Sequence, residues 1–400
     1  LVGFVNLGGG AGFDLGIDRE VFRVTDNGNG SFTFDLRDQL DHTPAAGDNG
    51  ILTLDLTGAF TATDYDGDPV TLNADSITVV VENDVPAGVV SGTVSIRVDE
   101  DELSTASGDN SNGITDGDAD TDEATFTSAS FAAVVTPGAD EDAKFALNLG
   151  AAGNVVTTGG APVLSQGANV IWGTNAGALV GFVNLGGGAG FDLGIDREVF
   201  RVTDDGSGTF MFDLKDQIDH SPAAGDNGIL TLDLSIAFGV TDFDRDAVTL
   251  PSGSVTVVVE NDIPTAAGTA TASIRVDEDE LSTATSDLST GITDGDGDTD
   301  EATLSSASLA ALVTPGADEP VDFNLNRPLT GNVVTTGGSP VLSQGANVVW
   351  GTDAGALVGF VNLGGGAGFD LGVDREVFRL TDNGNGAFTF DLKDQLDHAP

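Results

Sequence analysis

Acidic side chains are grouped at a few short stretches of this sequence, and their spacing could support metal-ion chemistry. Alternating aspartates occur in TDYDGD at 63–68, a strand-like run ends in the oxygen-rich VENDVP at 81–86, and VDEDE follows at 98–102. Carboxylate and amide oxygens are hard ligands that suit Ca²⁺, and carboxylates placed together repel one another unless a cation neutralises them. The three stretches therefore predict a calcium site with a shell of about 6 to 8 oxygens.

The densest acidic stretch is TDGDADTDE at 115–123, which returns as TDGDGDTDE at 293–301. Its alternating aspartates and final glutamate predict further cation ligands. Neither this loop nor 63–68 is an EF-hand, because Thr121 or Pro69 stands where that loop needs glycine. A solvated acidic turn is the alternative interpretation of each stretch. The candidate ligands are Asp116, Asp118, Asp120, Asp122 and Glu123, with Asp294, Asp296, Asp298, Asp300 and Glu301 in the second copy.

The acidic stretches belong to a long internal repeat. The segment LVGFVNLGGGAGFDLGIDREVFRVTD starts at Leu1, recurs unchanged at Leu179 and returns with two substitutions at Leu357, a spacing of 178 residues each time (179 − 1 and 357 − 179). Because the chain starts and stops inside a repeat, we expect it to be a fragment of a longer protein. Boundaries placed after the two ENDxP stretches give the end of one repeat at 1–86, a complete repeat at 87–264 and the start of a third at 265–400.

The pattern inside a repeat predicts an all-β fold. Phe32, Phe34 and Leu36 alternate with polar residues, and DNGNG at 26–30 is a strong hairpin signal. Many short strands separated by turn residues favour antiparallel β-sandwiches of the immunoglobulin-like class, arranged in tandem as an elongated array. Since 178 residues exceed the roughly 100 of one such sandwich, we expect two sandwich lobes per repeat, either in series or one inserted in the other.

Composition excludes several classes of function. The chain has 64 acidic and 14 basic residues and a formal charge of −50, which argues against nucleic acid and against an anionic membrane surface as partners. No apolar run approaches the roughly 18 residues of a membrane span, so direct membrane insertion is not expected. Cysteine is absent, so disulfides and thiolate sites are excluded.

No catalytic constellation is recognisable in the sequence. His42, His220 and His398 occupy the same repeat position in the words LDH, and none lies in a G-x-S-x-G or H-E-x-x-H motif. A histidine bonded locally at a strand end is the simpler interpretation. We therefore expect that the protein is not an enzyme.

The ordered set of motifs resembles that of a known family. The strand-ending E-N-D-x-P linker with D-x-D-G-D loops looks like the calcium-dependent linkers of cadherin repeats. The wider order VDEDEL, TPGADE, TTGG, DQLDH, TATDYDGD and VENDVP is similar to the tandem extender repeats of giant type I-secreted RTX adhesins of Gram-negative bacteria, over essentially the whole chain.

This resemblance implies a set of ligands at the repeat boundaries. At the first boundary the implied ligands are Asp64, Asp66, Asp68, Glu82, Asn83, Asp84, Asp99 and Glu100. At the second they are Asp242, Asp244, Asp246, Glu260, Asn261, Asp262, Asp277 and Glu278. Arg245 departs from D-x-D-G-D, and a positive charge there could weaken or replace the ion.

The resemblance also implies a role. A structural extender, or stalk, of an extracellular adhesin at the bacterial cell surface would be stiffened by Ca²⁺ at its acidic joints, with neighbouring repeats as partners and a distal ligand that the sequence does not identify. The alternative is a calcium-dependent module that itself binds a glycan or surface. Aromatic platforms for a sugar are few, since the chain has only Trp172, Trp350 and Tyr65 besides its phenylalanines.

Overall fold

The structure is a computed structural model of residues 1–400. By its internal contacts the chain divides into two compact units, Leu1–Asp262 and Ile263–Pro400. The structure describes all residues except 9, 44–46, 101–102, 104–121, 140–142, 187, 222–224, 226–227, 279–280, 282–298, 318–320, 365 and 399–400.

The first unit begins with strands of the segment 1–86. These are β1 (Val2–Val5), β2 (Arg19–Asp26), β3 (Phe32–Leu36), β4 (Ile51–Asp55), β5 (Ala62–Thr63), β6 (Pro69–Val70) and β7 (Thr78–Glu82). Strands β1, β2 and β3 form an antiparallel sheet, β4 pairs with β7, and β5 pairs with β6. The β5–β6 hairpin encloses residues 64–68, so the TDYDGD stretch is a hairpin loop.

The rest of the first unit comes from the repeat predicted at 87–264. Its elements are β8 (Ala87–Gly88), β9 (Val94–Asp99), β10 (Glu123–Thr127), α1 (Ser128–Phe131), β11 (Val135–Thr136), β12 (Lys144–Leu147), β13 (Val156–Thr157), β14 (Leu164–Ser165), β15 (Ala168–Asn169), β16 (Ile171–Asn175), β17 (Ala178–Val183), β18 (Arg197–Asp204), β19 (Thr209–Leu214), β20 (Ile229–Asp233), β21 (Phe238–Thr241), β22 (Ala247–Val248) and β23 (Val255–Glu260). The largest sheets have the orders β10-β19-β18-β17-β16, β13-β20-β23-β9 and β12-β21-β22, with β8-β11 and β14-β15 as separate pairs.

Aromatic rings fill the core between these sheets. Thr127 caps the single turn of α1, which brings Phe131 against Phe126 and Phe210 at ring-centroid distances of 5.7 Å and against Phe238 at 4.9 Å. Each of these pairs is tilted or edge-on, the arrangements that aromatic quadrupoles favour. The core therefore depends on side chains from four separate strands and turns.

The same alternating motif is buried differently in its two copies of this unit. Phe32 of β3 is 51% exposed, whereas its counterpart Phe210 of β19 is 0% exposed. β19 is covered by β10 and α1, which come from residues 123–131.

One strand pairing departs from the antiparallel pattern predicted from the sequence. β9 and β23, the first and last long strands of the 87–264 repeat, pair in parallel with Val94 opposite Val255 and Asp99 opposite Glu260. Parallel neighbours require a long crossover rather than a hairpin, and here nearly the whole repeat lies between them. The pairing places the acidic ends of both strands side by side.

The second unit repeats part of this order of elements. They are β24 (Thr265–Ala266), β25 (Glu301–Leu304), α2 (Ser306–Ala310), β26 (Val313–Thr314), β27 (Leu342–Ser343), β28 (Ala346–Asn347), β29 (Val349–Asp353), β30 (Ala356–Val361), β31 (Arg375–Asp382) and β32 (Phe388–Leu392). Its main sheet has the order β25-β32-β31-β30-β29. Val348, Val377, Phe378 and Leu392 are among its core residues.

The protein is thus predominantly β, with many antiparallel sheets, as the sequence predicts. Helix is limited to α1, α2 and two single 3₁₀ turns at Thr57–Ala59 and Ser235–Ala237 among the described residues. Within that same part of the chain, no helix combines the length and apolar character needed to cross a membrane.

Candidate metal centre

Two hairpin loops with the pattern D-x-D-x-D each bring three carboxylates together. In the loop 242–246, Asp246 donates its backbone N–H to Asp242 Oδ1 at 2.8 Å, and Asp242 donates its own to the Asp246 carbonyl at 3.2 Å. A left-handed residue, Arg245 with φ +75°, lets the chain turn tightly. As a result, oxygens from Asp242, Asp244 and Asp246 all lie within 4.8 Å of one another.

The loop 64–68 is built in the same way. Asp68 donates to Asp64 Oδ1 at 2.8 Å, Asp64 donates to the Asp68 carbonyl at 3.1 Å, and Gly67 has φ +96°. Its three carboxylates also converge within 4.8 Å. The two loops differ in their surroundings, because Asp64, Asp66 and Asp68 are exposed.

The aspartates of the loop 242–246 are buried. Asp242, Asp244 and Asp246 are 1%, 6% and 2% exposed. Three N–H groups from the segment 1–86 contact this loop: the backbone N–H of His42 donates to Asp244 Oδ2 at 3.1 Å, and that of Gly47 to Asp246 Oδ1 at 3.2 Å. The side-chain amide of Asn83 donates to Asp246 Oδ2 at 2.5 Å. We call this contact between two repeats the joint.

The residues on the 1–86 side of the joint are held by their own bonds. Asn83 follows β7 directly, and its backbone N–H donates to the Gly50 carbonyl at 2.8 Å while its side chain donates to the Gly47 carbonyl at 3.2 Å. The His42 ring lies between the Leu40 and Val81 carbonyls, at 2.8 and 3.2 Å. The local bonding predicted for this histidine is therefore present, and it fixes the backbone that faces Asp244.

The joint leaves three buried oxygens without a hydrogen-bond partner among the described residues. They are Asp242 Oδ2, Asp244 Oδ1 and Asn83 Oδ1. Buried polar atoms are nearly always satisfied in native proteins, and a buried carboxylate is costly unless it is paired or coordinates a metal. Two carboxylate oxygens and one amide oxygen are the donor set of a hard divalent cation such as Ca²⁺ or Mg²⁺.

The electrostatics of the loop also favour a cation. Burial raises the pKa of Asp242 to about 6, and the shift is reinforced by the hydrogen bond to Asp244 that only the protonated carboxyl can donate and by the nearby charges of Asp244 and Asp246. The proton is then held because three negative charges in one small volume are unfavourable. A divalent cation at the uncommitted oxygens would relieve the same repulsion.

Arg245 does not take the place of that cation. Arg245 is exposed, and among the described residues no ion pair joins it to Asp242, Asp244 or Asp246. Its side chain lies outside the ring of three carboxylates because the alternating pattern places residues 243 and 245 on the solvent side of the loop. Of the outcomes expected for Arg245, direct replacement of the ion is not supported by this geometry.

A second acidic group lies within one repeat, at the ends of the parallel strands β9 and β23. Asp99 pairs with Glu260 in register, and the backbone N–H of Glu100 donates to the Glu260 carbonyl at 3.3 Å. Glu100 Oε1 accepts the Ile218 N–H at 2.6 Å, and Asp262 is also buried. These carboxylates are 0–2% exposed, so burial places several negative charges in a low-dielectric region.

His220 borders this second group. Its Nδ1 lies 3.6 Å from Glu100 Oε2, and its two ring nitrogens contact the Ile218 and Val259 carbonyls. Burial lowers the pKa of His220, although those carbonyl contacts oppose the shift. In the second compact unit, Glu278 Oε1 accepts the Leu396 N–H at 2.6 Å, which repeats the Glu100 arrangement.

The structure groups the candidate ligands differently from the sequence-based scheme. That scheme associated Asn83 with Asp64, Asp66 and Asp68, whereas the structure bonds Asn83 to Asp246, 163 residues away. The structure also pairs Asp99 with Glu260 of the same repeat, whereas the sequence-based scheme placed these two residues at different boundaries. The physical reason is that the parallel pairing of β9 with β23 places the end of β9 beside Glu260, while the loop 242–246 packs against the segment 1–86.

The remaining candidates have varied environments. Glu82 and Asp84 are both exposed. Asp84 Oδ2 accepts the Ala139 N–H at 2.7 Å, which is a further contact between the two repeats. Asn261 is buried and donates to the Gly225 carbonyl at 3.0 Å. Burial and the charge of Asp213 raise the pKa of Asp122. Asp277, Asp300 and Glu301 are described without a metal-type cluster, while Asp116, Asp118, Asp120, Asp294, Asp296 and Asp298 lie outside the described residues.

Sequence reasoning missed His42 and Gly47 as contributors to the joint. Both act through backbone N–H groups, which carry no side-chain signature. The available signal was the word DHTPAAGD at 41–48, which accompanies the repeat but has no metal-binding pattern.

Comparisons with protein-family models, with curated proteins and with solved structures found no match for this chain.

Proposed function

We propose that this chain is a structural segment of an extracellular bacterial adhesin, in which tandem β-sandwich repeats are held in a stalk by Ca²⁺ bound at their joints. The supporting observation is the buried loop 242–246 packed against Asn83, with three oxygens uncommitted to hydrogen bonds. A hard-oxygen site that is completed only when two repeats meet would couple ion binding to their mutual orientation.

The class of protein is part of this proposal. The resemblance of the motif order to RTX adhesin extender repeats suggests secretion and a place at the cell surface, where calcium affinities of about 10⁻⁴ to 10⁻³ M are adequate. Immunoglobulin-like or cadherin-like sandwich modules, two per repeat, are the finer architecture that we propose for the antiparallel sheets. The role is mechanical, because the site holds elements of two repeats rather than a reacting molecule.

The test is a calcium titration of the whole chain and of two matched variants. Asp242→Asn removes one uncommitted carboxylate oxygen from the buried loop, and Asp64→Asn makes the same change in the exposed loop. Isothermal calorimetry should show that Asp242→Asn loses about tenfold or more in affinity at one class of site, whereas Asp64→Asn leaves that class unchanged.

Thermal melting provides the second measurement. A ligand that binds only the folded state raises its stability in proportion to the logarithm of its concentration. The wild-type melting temperature should rise with Ca²⁺, and Asp242→Asn should show a smaller rise than Asp64→Asn. Equal responses of the two variants would contradict the assignment of the ion to the joint.

A further inference from the structure

The joint contains protein–protein hydrogen bonds that are separate from the oxygens available to an ion. Asp244 uses Oδ2 for the His42 N–H, and Asp246 uses both oxygens for Gly47 and Asn83. The uncommitted oxygens of the aspartates are Asp242 Oδ2 and Asp244 Oδ1. Recognition of the loop by the preceding repeat and coordination of an ion therefore use different atoms.

We propose that His42, Gly47 and Asn83 form an N–H latch, which recognises the aspartate loop of the following repeat and joins the two repeats before any ion binds. This inference builds on the proposed function, but it assigns the initial recognition to the protein and leaves the later stiffening to the ion. The partner of the latch is the aspartate hairpin loop of the next repeat, of which 64–68 and 242–246 are the two copies among the described residues.

The strength of the latch follows from its chemistry. Each of its three bonds joins an N–H donor to a carboxylate, and hydrogen bonds to charged groups are stronger than neutral ones. All three aspartates are buried, so water competes little for the donors. Loss of one donor would leave a buried carboxylate oxygen without its partner, which is more costly than loss of an exposed bond.

The loop is already shaped for this contact before its partner arrives. The exposed loop 64–68 shares with the docked loop 242–246 the two hydrogen bonds between its first and last aspartates and a left-handed fourth residue. A binding element that holds its bound conformation when free loses little conformational entropy on docking. The exposed loop 64–68 therefore has the same shape as the surface of the loop 242–246 that the latch contacts.

The latch side is equally preformed. Asn261, the counterpart of Asn83, donates its side-chain amide to the Gly225 carbonyl at 3.0 Å, as Asn83 does to Gly47 at 3.2 Å. The ring of His220 is held between two carbonyls as the ring of His42 is. These bonds position the donors independently of Asp244 and Asp246.

Amide hydrogen exchange of the whole chain, in excess chelator and again in millimolar Ca²⁺, tests the latch. In chelator, the N–H of Gly47 should exchange at least about tenfold more slowly in the wild type than in Asp246→Ala, which removes the acceptors of Gly47 and Asn83. The N–H of His42 should lose protection in the same variant, because undocking of the loop takes its acceptor Asp244 away from it. Asp68→Ala, the same change in the exposed loop, should leave exchange at both positions unchanged and controls for disruption of the hairpin.

The outcomes separate this inference from the proposed function. Protection in chelator that is lost only in Asp246→Ala supports the latch, whether or not calcium adds to it. Protection that appears only with Ca²⁺ overturns the latch and leaves the calcium joint intact. No protection in either condition overturns both. If Asp246→Ala fails to fold, Asn83→Leu, compared with Asn261→Leu, provides the same comparison through the other partner.

Discussion

At the scale of single residues, the two aspartate loops show that one sequence pattern can have two electrostatic states. Asp64 is exposed, and its hydrogen bonds lower its pKa. The bond with the Asp66 side chain has the largest effect, followed by the bond from the Asp68 backbone. Asp242, its counterpart, is buried and has a pKa raised to about 6. The sign of the shift is set by burial at the joint, because the internal bonds of the loops are the same.

Asp242 therefore predicts a pH dependence. Its pKa is 3.8 when exposed and about 6 in the folded protein, so between these values the folded state binds the additional proton. Without a cation, this group makes the free energy of unfolding fall as the pH rises through about 4 to 6, and the destabilisation is complete above that window. Because a cation competes with the same proton, Ca²⁺ affinity should rise from about pH 5 to about pH 7.

Calorimetric titrations at both pH values measure the effect on affinity. Asp242→Asn is the reference, since it lacks the titrating group and should show a much smaller change. A wild-type affinity that is the same at both pH values would rule out Asp242 as a ligand that must lose a proton.

At the scale of strands and hairpins, sequence reasoning predicted the local elements but not the contacts between distant ones. Alternation and turn residues predicted the strands around Phe32 and the hairpin at 26–30, because both signals are local. The parallel pair β9–β23 and the contact of Asn83 with Asp246 were not predicted, because they join residues more than 150 positions apart. In a chain of near-identical repeats, local patterns cannot specify which copy of a motif meets which.

A close contact between neighbouring strands gives an element-scale prediction. A Cβ at Gly181 of β17 would lie 2.2 Å from the ring of Phe200 on β18, at the point where the pairing register shifts. Since Phe200 is 0% exposed and cannot move outward, Gly181→Ala should lower the free energy of unfolding by about 1 to 3 kcal/mol.

The matched control is Gly3→Ala in the first copy. Gly3 makes the same 2.2 Å contact with Phe22, but that ring is only partly buried and has room to shift. Chemical denaturation should show a smaller loss for Gly3→Ala than for Gly181→Ala. Equal losses would mean that the burial of the phenylalanine does not determine the cost.

At the scale of the whole molecule, charge dominates. A formal charge of −50 makes repulsion between acidic groups a general destabilising term. Composition revealed this term and the motifs located the acidic loops, but the sequence did not show that the loop 242–246 is buried against the segment 1–86. That burial arises from packing between repeats, which the order of residues within one repeat does not determine.

Screening of this charge can be measured in the absence of a divalent cation. In chelator, raising NaCl from about 0.01 to about 0.15 M shortens the Debye length from about 30 to about 8 Å and should raise the melting temperature. In millimolar Ca²⁺ the same increase in NaCl should have a smaller effect, because bound ions already neutralise the acidic sites. Scanning calorimetry of the four samples makes the comparison. A melting temperature insensitive to salt in chelator would show that repulsion does not limit stability.

The distance along the chain between the two sides of the joint has a genetic consequence. Asn83 and Asp246 are 163 residues apart, which is less than one repeat of 178 residues. Loss or gain of one whole repeat by recombination between the near-identical coding segments would therefore rebuild the same joint at the new junction. Such a gene can change the length of its product in whole-repeat steps without having to evolve a new interface.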